Sequence, residues 1–504
     1  MKRSLLFIVL FLCAGSLLAQ EPSVDFDKLT LEQSIRLALK NNLNIQIEQY
    51  NPEIGAANVR LEQSRFEPFF SANLNTTDAT QPTGSILVGA QAINSRNFDY
   101  NFVLQQILKT GTTYSLSFNN TRIRTNQSFT SVNPRFDSTL FANVTQPLLR
   151  GFGKDVTLAP LSIAQKNRIA SDFRLQQRMQ DIALQVEQVY WDLVHARRQL
   201  AVNKQALASA QDLYENNKKQ VEVGTMAPLE IVVAEAEVAS REEGIIAIEA
   251  TIQNLDNLLK TIVLGTNDLA NSTAEIIPAD EPVVSPISMN EEEAIQRALA
   301  DNPDLKSLQT EVESNQLNTR LASNNLKPQL DLKASLGYAG LGGDTLLLDN
   351  SQFPPTVIGT VPGGYPDALS NLFNNRTWSV GFVVGIPIGN GAAQANYVRA
   401  DLTQKQSQRT LDSSRQQLIL NVRTTYRNLQ TDLKQLDAAR ASRVLQEKKL
   451  DAEKKKLNVG LSTNHVVLDF QDDLLTAQSE ELQAMVNYNK DLAQLQRYMG
   501  TSLP

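Results

Sequence analysis

The sequence predicts an α+β membrane protein: a transmembrane β-barrel shared between copies of the chain and continued by a tunnel of long antiparallel coiled-coil helices. Three observations predict it. The chain is internally duplicated, its longest helices exceed anything a globule uses, and its alternating runs have the length of tilted barrel strands.

The duplication organises the 504 residues. Ser34, Ile35, Ala38, Leu39, Asn41 and Asn42 recur as Ala294, Ile295, Ala298, Leu299, Asp301 and Asn302, an offset of 260. Pro68 matches Pro328 at the same offset, whereas Pro147 matches Pro387 at 240. Tyr190 matches Tyr426, and Val223-Gly224 matches Val459-Gly460, both at 236, and Leu264-Gly265 matches Met499-Gly500 at 235. An offset changes where chain has been inserted, and loops tolerate insertion better than packed helices. The reading divides the chain into a signal segment, 1–19, a first repeat, 20–265, a linker, 266–287, and a second repeat, 288–504. Each repeat holds a helix, then a β-segment (66–147 and 328–387), then a helical hairpin (157–264 and 393–499).

Residues 157–222 contain no glycine, and no proline after Pro160. A helix of that length is ~100 Å long at ~1.5 Å per residue. Ile182, Val186, Val189, Leu193, Ala196, Leu200, Asn203, Leu207, Ala210 and Tyr214 step alternately by four and three, which is a heptad seam. The second copy follows with Leu418, Val422, Leu429, Leu436 and Leu450, interrupted by Asp432, Arg443 and Gln446. Each helix turns back at a glycine, Gly224 or Gly460, suited to a left-handed helix terminus.

The β-segments alternate. Leu330, Leu332, Ala334, Leu336 and Tyr338 share one face of a run, as do Trp378, Val380, Phe382, Val384 and Ile386. Phe70, Ala72 and Leu74, and Leu140, Ala142 and Val144, do the same in the first half. Such runs match the ~9–11 residues of a tilted membrane strand. Two more runs, through Phe98, Tyr100, Phe102 and Leu104 and through Tyr114, Leu116 and Phe118, flank a turn at Lys109-Thr110-Gly111-Thr112. If they span, loops at about 76–97 and 123–136 lie outside. The second half has no counterpart, which favours a hairpin that extends the outer face without adding staves. Four or six strands per protomer both stay open. The Gly- and Pro-rich stretch 339–376 reads as the second outer loop. A few strands cannot close a pore, and lipid allows no unpaired edge, so several copies must share one barrel.

Lys2 and Arg3, the apolar run Leu5–Leu12 and small residues ending at Ala19 read as a secretory signal. Cys13, the one cysteine, lies within it; lipidation there would require a small residue before it, where Leu12 stands. The net charge is −7, and cutting after Ala19 makes it more acidic, which argues against nucleic-acid binding. No catalytic constellation, cofactor motif or metal-ligand spacing emerges. Gly151-Phe152-Gly153-Lys154 lacks the phosphate-loop spacing and reads as a strand-to-helix turn. His195 sits in the heptad helix, His465 beside the second tip, and Tyr190 and Trp191 read as packing residues.

With these residues in place, the chain resembles the outer-membrane efflux (TolC-like) protein family over about Leu29–Gly500. The duplicated openings, the strand-ending prolines and the two tip turns, Val223 to Glu230 and Val459 to Asp469, carry the resemblance. It implies a homotrimer in the outer membrane with a large periplasmic portion, a passive exit duct of a tripartite efflux or type I secretion system. The implied partners are a periplasmic adaptor protein, an inner-membrane pump of RND or ABC type and outer-membrane lipid, with no cofactor. By position, Val223, Gly224, Thr225, Val459, Gly460, Leu461 and Ser462 would form the adaptor-docking tips. Asp469, with Glu230, Asp472 and Asp473 as further candidates, would ring the pore constriction; Val466 stands where the family often has another acid. A ring of carboxylates repeated by symmetry attracts cations. The competing reading is a coiled-coil envelope protein without a pore.

Overall fold

The computed structural model describes residues 28–84, 90–265, 274–284, 286–349, 351 and 355–502. The signal reading and Cys13 lie outside the described residues.

The first half opens with α1 (Leu31–Asn41) and α2 (Leu43–Ser64). Four strands follow: β1 (Phe69–Pro82), β2 (Ala92–Ile107), β3 (Thr113–Thr125) and β4 (Val132–Pro147). A short α3 (Lys154–Thr157) leads into α4 (Ala159–Glu222), and α5 (Leu229–Val263) returns. The second half repeats the plan with α6 (Glu291–Asp301), α7 (Pro303–Asn324), β5 (Gln329–Asp349), β6 (Thr356–Val361), α8 (Tyr365–Ser370), β7 (Asn375–Gly385), α9 (Gly391–Asn458) and α10 (Asn464–Tyr498). At 64 residues α4 runs ~96 Å, and its heptad positions from Ile182 to Ala196 are buried.

Hydrogen bonds repeat with the sequence. Thr30 with Gln33 and Asn290 with Glu293 form capping boxes on α1 and α6. Asn42 donates through Nδ2 to the Ile262 carbonyl at 2.9 Å, and Asn302 to that of Tyr498 at 3.0 Å. Tyr190 donates its hydroxyl to the Leu29 carbonyl at 3.0 Å, and Tyr426 to that of Met289, also at 3.0 Å. Each tyrosine pins the chain just before the capped helix of its own half. Residues 276–280 of the connection lie alongside Leu29, which donates to the Ile277 carbonyl and accepts from Ala279 N–H.

All strands join one antiparallel sheet in the order β1-β2-β3-β4-β5, with both β6 and β7 paired to β5. The hairpin read as extending the outer face is part of this sheet: β2 and β3 lie between β1 and β4, paired along their length. The reason is phase. Phe102 stands opposite Ala72 and Phe118, and Leu104 opposite Phe70 and Leu116, so the hairpin's apolar positions continue the row set by its neighbours. The strands also run beyond the expected outer loops, β1 to Pro82 and β2 from Ala92. Within 339–376, read as a loop, β5 continues to Asp349, followed by β6 and α8. There Gly340 and Gly342 leave room for α8, since a Cβ on either would meet backbone atoms of residues 364–372 at 2.0–2.8 Å.

The helices pack side by side. Next to the sheet the order is α2-α4-α7-α9; towards the far end it is α5-α4-α10-α9. Two hydrophobic cores result. One gathers α1, α4 and α5 around Tyr190, Leu193 and Leu259; the other gathers α6, α7, α9 and α10 around Val422, Leu429, Tyr488 and Leu495.

Candidate functional site

The end farthest from the sheet holds two turns of one design. At the end of α4, Thr225 N–H donates to the Gln220 carbonyl and Gly224 N–H to that of Val221. At the end of α9, Leu461 N–H donates to Lys456 and Gly460 N–H to Leu457. These pairs close the last helical turn in the Schellman pattern, which requires a left-handed residue. Gly224 has φ +78° and Gly460 +77°, and neither has an atom within 4 Å of where a Cβ would stand. Conformation, not crowding, demands glycine at both.

The turns put apolar side chains into solvent. Val223, Leu229, Val459 and Leu461 are 67–78% exposed, and Thr225 is exposed beside them. Ser462 differs, being half-buried, with its hydroxyl donating to Glu453 Oε1 at 2.6 Å. That bond and Lys456, 3.0 Å from the same carboxylate, hold Glu453 below the usual carboxylate range. Ser462 therefore braces the second turn from within.

The acidic residues separate into two groups. Asp472 on α10 pairs with Arg241 on α5, which also holds Glu237, and so ties one hairpin to the other. Asp473 pairs with Lys449 on α9 at 2.8 Å, and that ammonium lies 3.8 Å from the centroid of the Phe470 ring. Asp469 is exposed, with His465 Nε2 3.7 Å from its carboxylate one turn earlier. Glu230 is half-buried, and its backbone carbonyl accepts from Asn217.

Sequence reasoning missed the contacts that join the two hairpins near these turns. Asn464, at the start of α10, donates through Nδ2 to Asn217 Oδ1 of α4 at 2.7 Å. Both are buried, at 5% and 1% exposure. Farther along α10, Lys490 meets both oxygens of Asp192 at 2.8 and 2.9 Å. Arg497 bridges Asp181 of α4 and Asp304 of α7 at 2.7–2.9 Å. Burial works against the Arg497 charge, but Asp304 and Asp181 outweigh it and raise its pKa. A signal existed in Asn217, an amide one seam step beyond Tyr214, but its partner is 247 residues away.

Residues 294–501 match the outer membrane efflux protein family. The outer membrane protein TolC of Escherichia coli K12 is 24% identical over 354 residues, covering 68% of this chain and 66% of its own length, just short of two thirds. Among solved structures, the CmeC outer membrane channel of Campylobacter jejuni matches with TM-score 0.64 at 17% identity, over 95% of this chain and 87% of that one. The outer-membrane channel OprN matches with TM-score 0.68 at 15% identity, over 95% and 92%. The family match thus covers most of the second half of the chain, and the fold along nearly its whole length is the one those solved outer-membrane channels share.

Proposed function

We propose that the chain is one protomer of a trimeric outer-membrane channel, the passive exit duct of a tripartite efflux or type I secretion system. The observation that carries it is the join of two structures rarely found together. A sheet with one apolar face runs directly into ~100 Å helical hairpins. Among the described residues no helix is long and apolar enough to cross a membrane, so the sheet is the part suited to lipid. A pore-free coiled coil would need no such sheet.

Both layers support association of copies head to tail. The sheet ends on one side in β1 and on the other in β7, with β6 above it, and next to the sheet the helical layer ends in α2 and α9. Leu43, Ile47, Tyr50, Ile54 and Leu61 form an exposed seam on α2. Gly391, Ala395, Val398 and Leu402 form one on α9, which runs antiparallel to α2. Because α2 leads into β1 and β7 leads into α9, one rotation closes sheet and helices together.

The twin turns then lie farthest from the membrane, where Val223, Gly224, Thr225, Val459, Gly460 and Leu461 present the surface for a periplasmic adaptor, with Ser462 shaping the second turn. Asp469 and Glu230 are the constriction carboxylates; Asp472 and Asp473 are engaged in ion pairs. An inner-membrane pump supplies the energy. The test is planar-bilayer conductance of the purified protein with its oligomer mass measured in parallel. Trimers giving small, mostly closed, cation-selective channels support the reading, and a monomer without conductance refutes it.

A further inference from the structure

The sequence leaves four or six strands per protomer open, and this chain places six long strands side by side. The additional hairpin does not sit on the outer rim. Its turn, residues 108–112, lies at the helix side of the sheet, wedged among the strand-to-helix junctions. A Cβ on Gly111 would meet the Gly151 carbonyl oxygen at 2.7 Å and Thr157 Oγ1 at 2.9 Å. Gln106 donates to the Phe66 carbonyl at 2.6 Å, and Thr112 to Gln146. From there β2 and β3 rise beside β1 and β4, with 16 and 13 residues against the ~9–11 that cross a bilayer.

The faces agree. Residues in register across the six strands place Phe70, Leu104, Leu116, Ala142, Leu336 and Trp378 in one row. The adjacent row holds Ala72, Phe102, Phe118, Leu140 and Tyr338, and ends in Arg376 on β7. On β2 and β3 the opposite face carries chiefly Asn97, Asn101, Gln105, Ser115, Ser117 and Asn119. A hairpin standing in water would have no use for an apolar face continuous with its neighbours'.

We propose, building on the channel reading above, that β2 and β3 are lipid-facing staves, so that the trimer closes a barrel of three times six strands rather than three times four. The occupant of the apolar face, from the strand-to-helix junctions up to where α8 covers it at Gly340 and Gly342, is bilayer hydrocarbon. Strands ~4.8 Å apart and tilted by ~40° each take roughly 6.3 Å of circumference. Eighteen give a backbone-to-backbone diameter of roughly 36 Å, against roughly 24 Å for twelve. The outlet is then porin-wide and lined on these strands mainly by neutral amides and hydroxyls. Sieving by size and charge falls to the far tip.

The test uses single-cysteine variants of the full chain in a Cys13→Ser background, as trimers in phosphatidylcholine vesicles. A membrane-impermeant maleimide is expected to label Asn101→Cys and Ser117→Cys at least about tenfold faster than Phe102→Cys and Leu116→Cys, since alternate residues face opposite sides. A bimane on the latter pair is expected to be quenched by brominated phospholipid. Val380→Cys on β7 is the control, protected if the sheet lies in the bilayer at all. Equal labelling along β2 and β3 with Val380→Cys protected overturns the six-stave proposal alone. Protection at Phe102→Cys and Leu116→Cys without quenching also overturns it, because protein then covers that face. Labelling of Val380→Cys as well removes the channel reading itself.

Discussion

Replacing Asn464 with leucine should open the tip. The Asn464 amide donates to Asn217 Oδ1 at 2.7 Å, and Asn217 is held in place by its own bond to the Glu230 carbonyl at 3.2 Å. With Asn217 1% exposed, Asn464→Leu leaves that oxygen buried without a donor in the closed tip. An orphaned buried acceptor costs ~1–3 kcal/mol. When the hairpins part, water reaches the oxygen and the cost disappears. Taking about 2 kcal/mol, the ratio of open to closed tips rises roughly thirtyfold per protomer. The assay is open probability in planar bilayers. The double variant Asn217→Leu/Asn464→Leu removes donor and acceptor together and should return most of the way to the parent, because matched apolar replacement is nearly neutral. A single variant as closed as the parent, or a double variant as leaky as the single, would refute the assignment of this contact to closure.

Arg497→Met should strand Asp181 and Asp304 and lower the thermal midpoint of the protein. The loss should fall short of the ~3–5 kcal/mol of a fully buried pair, because those carboxylates are 38% and 34% exposed. Adding Asp181→Asn and Asp304→Asn should recover part of it. Gly460→Ala should cost about 1 kcal/mol, from positive φ alone. Gly500→Ala should cost more in the same melting assay, because φ is +74° there and the added Cβ would also meet the Asp301 carbonyl oxygen at 2.7 Å. Burial raises the Glu187 carboxyl to about 7, from an ordinary 4.5. Between those values the folded chain holds a proton that the unfolded chain has released, so stability falls as pH rises through that window, by at most ~3 kcal/mol. Glu187→Gln should therefore raise the melting temperature at pH 8 and leave it unchanged at pH 4. Asp469→Ala should raise single-channel conductance and weaken block by multivalent cations; unchanged values would take Asp469 off the pore.

Periodicity made the long elements legible. The four-three seam of α4 needed only the spacing from Ile182 to Tyr214, and both tip turns were visible as glycines at the ends of unbroken helical runs. The β2–β3 hairpin was visible too, as strands, but its place in the sheet was not. Comparison with the second half suggested an appendage, because that half has nothing to align with it. Only pairing to β1 and β4 fixes its height, and pairing partners do not show in a single strand's alternation. The candidate carboxylates were legible only as acids following the two turns. That Asp472 and Asp473 are held in ion pairs depends on Arg241 and Lys449, on other helices, so sequence distance hid it.

The distribution of polar and apolar contacts suits a duct that opens at one end. Each half packs its own hydrophobic core, and Val486 is the residue of α10 that joins the core of the first half. The polar contacts of α10 with the first half run through Asn464, Asp472, Lys490 and Arg497. Separating apolar surfaces exposes them to water at ~25 cal/mol per Å², with nothing gained in return. Separating polar pairs exchanges protein partners for water, so the net cost per contact is near ~1 kcal/mol. Near the tip, the Asn464 and Asp472 contacts can therefore be exchanged for water at little cost, while Val467 and Leu468 of α10 are buried beside them. At the sheet end, Arg497 with two carboxylates and Val486 within the first core hold the same helix more firmly. Opening at the tip would break the Asn464–Asn217 and Asp472–Arg241 contacts, at the end of the molecule where Gly224 and Gly460 present their turns.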